Sequence, residues 1–89
     1  MAMYLISYDL NQPGQAYHAI DRRLGEMSAV RALRTVWLVD SGLTAEQIRD
    51  SLLATVDQGD SIVVAPISGP LSQWKLQPDA RALLQSKRM

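Results

Sequence analysis

The chain has no cysteine and a single histidine, His18. Disulfide frameworks, thiolate zinc sites, cysteine nucleophiles and multi-histidine metal centres are therefore excluded together. Net charge is also missing. Nine Lys and Arg balance nine Asp and Glu, and the balance holds up to Ala45 and again after it, so no basic tail marks a binder of nucleic-acid backbone. The longest apolar run falls far short of the roughly 20 residues of a membrane span, and the N-terminus lacks the basic start and apolar stretch of a signal peptide. A soluble, cytoplasmic protein of bacterial type is the expectation. Glycine and proline are few, at five and four, which argues against a disordered or fibrous chain. Catalysis, if present, falls to carboxylates, hydroxyls, a phenol or a borrowed metal.

The 89 residues, 47% of them apolar, suffice for one domain, residues 1–89, and no more. Met3 to Leu10 is rich in β-branched and aromatic types and stops at the turn signal Asn11-Gln12-Pro13-Gly14, which predicts a first strand. Tyr17, Ile20, Leu24 and Met27 recur at helical spacing over Gln15 to Met27, with Asp21, Arg22 and Glu26 elsewhere on the wheel. Val30 to Leu33 and Thr35 to Asp40 read as strands joined by a tight connection or bulge at Leu33-Arg34. Thr44 opens a capping box with Gln47, ahead of a buried stripe of Ile48, Leu52 and Val56 in a second helix that Gln58-Gly59-Asp60 stops. Ser61 to Ile67 is the last strand, and Pro66 assigns it to an edge because proline cannot donate to a ladder. Pro78 starts a short C-terminal helix through Leu84. The order β-α-β-β-α-β is that of a ferredoxin-like α+β fold, an antiparallel four-stranded sheet with two helices on one face.

Apolar residues occupy both faces of the first strand, so the face away from the helices needs a cover. The tail with Trp74 can supply part of it, and a two-fold partner the rest, which makes a homodimer the expected assembly. Asp9 is the most informative residue, a carboxylate ending an apolar central strand. It can cap the turn that follows, or act as a hard-metal ligand, with a second Asp9 supplied across a two-fold axis to hold Mg²⁺ against a phosphodiester. The third strand is expected to run parallel to the first, which would bring Asp40 toward the same end. Arg31 and Arg34 could clamp phosphate as forked donors, or stand as solvated charges on an edge strand. Trp37 could stack a nucleobase or pack in the core. His18 reads as a solvated helix residue, and Tyr4, Tyr8 and Tyr17 as packed rings whose hydroxyls reach water.

The segment Met3-Tyr4-Leu5-Ile6-Ser7-Tyr8-Asp9-Leu10 resembles the Tyr-Asp opening of the small CRISPR-associated protein that partners the spacer integrase, a family also described as endoribonucleases. Arg31-Ala32-Leu33-Arg34-Thr35-Val36-Trp37 resembles that family's second motif, an arginine shortly before a Ser-Val-Phe triplet. The likeness is closer still to short bacterial proteins labelled the SinR family, through the YLISYDL start, the Asn-x-Pro-Gly turn, the Thr-Trp strand and the LTAEQIRD helix entry. Virulence-associated protein D shares the architecture. The resemblance implies a ferredoxin-like homodimer whose two Asp9 carboxylates face across a cleft and bridge one Mg²⁺, with Arg31 on phosphate and Trp37 in place of the phenylalanine. The chain departs from the pattern at Leu33 and Thr35, where the family has glutamine and serine, and at Asn11 to Ala16, where the family's acidic and basic residues are missing.

Two expectations follow. One is a metal-dependent endoribonuclease in which catalytic Asp9 from each subunit binds Mg²⁺, with Arg31, Arg34 and Trp37 bordering the RNA or DNA. The other is a non-catalytic homodimeric scaffold or nucleic-acid-binding module of the same fold.

Overall fold

The computed structural model describes residues 2–10, 15–69 and 71–87. The elements are β1 (Ala2–Asp9), α1 (Gln15–Glu26), β2 (Val30–Leu33), β3 (Val36–Ser41), α2 (Ala45–Leu53), β4 (Ser61–Ile67) and α3 (Pro78–Ser86). The four strands form one antiparallel sheet in the order β2-β3-β1-β4, the expected ferredoxin-like arrangement, with β4 and its Pro66 at an edge. The register of β2 on β3 shifts between Arg31 and Leu33, close to the bulge expected one residue later. The turn at Asn11 to Gly14 and the side chain of Tyr17 lie outside the described residues. Among the described residues no helix is long and apolar enough to cross a membrane.

Strand alternation divides the core in two. Tyr4, Ile6 and Tyr8 of β1 join Trp37 and Val39 of β3 beneath Ile20 and Leu24 of α1 and Ile48 and Leu52 of α2. On the opposite face, Met3, Ala32 and Leu38 meet Ala80 and Leu84 of α3, with Leu71 and Leu76 of the tail packed alongside. The tail thus covers part of the second face, as its apolar residues require. Trp74 borders this face without being buried by it. It stands 81% exposed, with Lys75 Nζ 5.5 Å from its ring centroid, while Leu71 and Leu76 do the covering.

α2 begins at the capping box. The Gln47 N–H donates to Thr44 Oγ1 at 3.1 Å and the Thr44 N–H to Gln47 Oε1 at 2.9 Å, satisfying two otherwise orphaned donors. The helix ends at Leu53, short of Val56. Thr55 turns the chain there, its N–H and its hydroxyl both donating to the Leu52 carbonyl.

Candidate functional site

β1 and β3 are antiparallel, and Met3 faces Asp40 in the ladder. The expected parallel pairing is thereby corrected: a hairpin reverses β3 relative to β2, and the α1 crossover keeps β2 parallel to β1. Asp40 therefore lies at the far end of β1 from Asp9, about 20 Å away. Its carboxylate is taken by Lys87 Nζ at 2.5 Å, a tie between α3 and the sheet.

Asp9 is exposed. By alternation it shares the second face with Met3, Leu5 and Ser7, on the strip that α3 leaves uncovered. Its neighbour in β4 is Ser61, and the next pair along is Ser7 with Val63. A shallow groove of about 190 Å³ runs here between Ser7, Asp9, Ser61 and Val63. Beneath the tail on the same face lies an apolar cavity of about 300 Å³, lined by Leu5, Ala32, Val36, Leu38, Leu71 and Trp74.

Arg31 and Trp37 are a cross-strand pair on the other face, beneath α1. The Arg31 guanidinium carbon lies 4.8 Å from the Trp37 ring centroid, a cation–π contact. Asp21 of α1 closes the arrangement: Arg31 NH2 donates to its Oδ2 at 2.6 Å and the Tyr8 hydroxyl to its Oδ1 at 2.5 Å. Trp37 Nε1 donates in turn to the Tyr8 oxygen at 3.3 Å. Burial, then the hydrogen bond to Asp21, pushes the Tyr8 phenol up to about 12. The phenol is held as a donor by a carboxylate, and the guanidinium is spread flat between an indole and that same carboxylate.

This network of Tyr8, Asp21, Arg31 and Trp37 ties α1 to three strands. Asp21 is the member that the helical periodicity leaves off the apolar stripe of α1 without assigning it a partner. The signal was in β2, where Arg31 alternates with Val30 and Ala32: if those face the second core, Arg31 faces α1 and needs an acid there. The tyrosine hydroxyls expected to reach water do not follow that pattern, since Tyr8 bonds Asp21 and the Tyr4 hydroxyl donates to the Leu43 carbonyl at 2.8 Å. His18 is exposed, as expected, and Arg34 is exposed in the turn between β2 and β3.

One chain therefore does not bring Asp9 together with Arg31 and Trp37, because a sheet lies between them. The donor set at Asp9 is one carboxylate beside two serines. Among the described residues no three His, Asp or Glu side chains converge on a point. Mg²⁺ binds through one or two carboxylates with several waters and a phosphate. At Asp9 a single chain offers one carboxylate, the minimum of these. No protein-family model, curated protein or solved structure matches the chain.

Proposed function

We propose that the protein is a non-catalytic homodimeric scaffold, of the kind implied by its resemblance to the CRISPR-associated partner of the spacer integrase. The observation that carries this reading is the separation of the candidate residues by the sheet. Asp9 faces out on one side, and Arg31 and Trp37 are bound into the Asp21 network on the other. A phosphodiesterase needs its metal ligand and its phosphate clamp on one substrate within a few ångströms of each other. Uncovered apolar surface on the second face, with Val63 53% exposed, supports association with a second copy.

The Mg²⁺-dependent endoribonuclease is a second reading, favoured by the exposure of Asp9 at a groove where two copies could meet. Labelled single-stranded RNA and duplex DNA, incubated with wild type and Asp9→Asn in Mg²⁺, Mn²⁺ or chelator, separate the two. The scaffold reading predicts no metal-dependent cleavage by either protein. Cleavage that needs metal and vanishes in Asp9→Asn would falsify it and place Asp9 at the centre of an enzyme.

A further inference from the structure

The outer edge of β4 is the one long stretch of backbone in the described sheet that no other described element covers. β4 is seven residues, Ser-Ile-Val-Val-Ala-Pro-Ile, without a charge. Edge strands of this kind template pairing with another chain unless they are bulged, charged or covered. Pro66 is the only such protection in β4.

The direction of each β4 backbone group follows from the ladder. The Tyr8 N–H donates to the Thr35 carbonyl, so the even residues of β1 bond toward β3 and its odd residues toward β4. Ser7 faces Val63 and Leu5 faces Ala65. Ser61, Val63, Ala65 and Ile67 therefore spend their N–H groups on β1, while Ile62, Val64 and Pro66 point outward. Pro66 has no N–H to offer, which agrees with this parity. The free outward donors are Ile62 and Val64.

We infer that β4 pairs antiparallel with β4 of a second copy about a two-fold axis at Val63, making one continuous eight-stranded sheet. The inference rests on the homodimer reading above and gives its geometry. In this register Ile62 opposes Val64 of the second copy and Val64 opposes its Ile62, so both outward donors in each chain are satisfied. Pro66 falls opposite Asp60 of the second copy, beyond the strand, where its missing N–H costs nothing. A two-fold contact must be self-complementary, and this register is.

The side chains agree on both faces. On the second face, the row Leu33, Val36, Ser7 and Val63 crosses the sheet and continues through the second Val63 into the same row reversed. On the helix face, a groove of about 280 Å³ between α2 and β4 is lined by Ala45, Glu46, Arg49, Ile62 and Val64. The partly buried Ile62 and Val64 would extend the core across the axis. Arg49 on the rim of the groove is already paired within its own chain, with Asp50 at 2.8 Å and Glu46 at 3.5 Å, so no unpaired arginine meets the axis. The same register sets the two Asp9 Cα atoms about 20 Å apart, two residues off the axis along the strand and one strand removed from it. Such a dimer bridges no metal between them.

Because the chain has no cysteine, one introduced thiol reports one contact. Val63→Cys opposes itself as a non-hydrogen-bonded pair, with Cα atoms roughly 4.5 Å apart, within disulfide reach. Ala65→Cys meets its own copy only at a displacement along the strand of roughly 13 Å. Full-length variants are oxidised mildly and run on non-reducing gels, beside sedimentation of wild type. The expected result is a wild-type dimer, with Val63→Cys cross-linking at least about tenfold faster than Ala65→Cys. Val63→Lys, on an exposed side chain, should weaken the dimer several-fold and leave the circular dichroism spectrum unchanged. A wild-type dimer in which Val63→Cys cross-links no faster than Ala65→Cys overturns the edge pairing and leaves the scaffold reading standing. A wild type that sediments as a monomer at every concentration overturns both.

Discussion

At one edge of the sheet, β2 has four residues, a register shift, and Arg31 held beneath α1 by Asp21. The Gln77 N–H donates to the Ala32 carbonyl at 3.2 Å, and α3 packs over the strand. At the other edge, β4 has seven residues in unbroken register with β1 and a single proline. The chain's own tail, through Gln77 and α3, covers the first edge, whereas the second is left with two outward donors and apolar residues on both faces. The two edges thus differ in protection, and the open one is where the proposed pairing with a second copy would form.

The largest effect should come from stripping the closed edge of its cover. Leu84 is buried between α3 and the sheet, and Leu84→Ala should cost about 3 kcal/mol in urea unfolding. Amide exchange at Gln77 should quicken at the same time. An unchanged midpoint would mean that α3 does not seal this edge.

Asp21→Ala leaves the Arg31 guanidinium and the Tyr8 hydroxyl without their shared acceptor, and should cost about 2 kcal/mol. If Arg31 is freed by this change and duplex DNA then binds more tightly, the network is holding a phosphate clamp in reserve and not only tying α1 down. The alkaline limb of stability tests the same network. The Tyr8 phenol titrates at about 12 in the fold against 10.0 for an ordinary tyrosine, so the folded state holds this proton more tightly than the unfolded chain. Its contribution is complete below about pH 10 and is lost as the pH rises toward about 12. Urea midpoints measured across that window should fall more steeply for wild type than for Tyr8→Phe; parallel slopes would contradict the donor role of the phenol.

The open edge should be the insensitive one. Val63→Lys, measured at a dilution where sedimentation shows only monomer, should shift stability by no more than about 0.5 kcal/mol, as surface substitutions generally do. A larger loss would show that Val63 supports its own subunit.

The residues differ in how much of this could be read beforehand. The capping box of Thr44 and Gln47, the edge position announced by Pro66, and the bounds of β2 and β4 are local properties, fixed by turn chemistry and side-chain alternation, and the sequence reveals them directly. α2 ends earlier than its periodicity suggests because Thr55 bonds the Leu52 carbonyl and turns the chain, a competition that the apolar stripe through Val56 does not register. The pairing of Asp40 with Lys87 and of Asp21 with Arg31 joins residues on different elements, and such pairings depend on strand direction and helix placement. Reversing the direction of β3 alone moves Asp40 from the Asp9 end of the sheet to the Met3 end. For the candidate site, the sequence singles out Asp9, Arg31 and Trp37 by residue type, while only the alternation of facing along three strands reveals that they lie on opposite sides.

The most direct test of the open edge is amide exchange at Ile62 and Val64, followed by NMR as protein concentration is varied. Edge pairing predicts slow exchange at both positions in concentrated solution and fast exchange on dilution, while Val63 and Ala65, bonded to β1, stay protected throughout. Fast exchange at Ile62 and Val64 at every concentration would contradict the account.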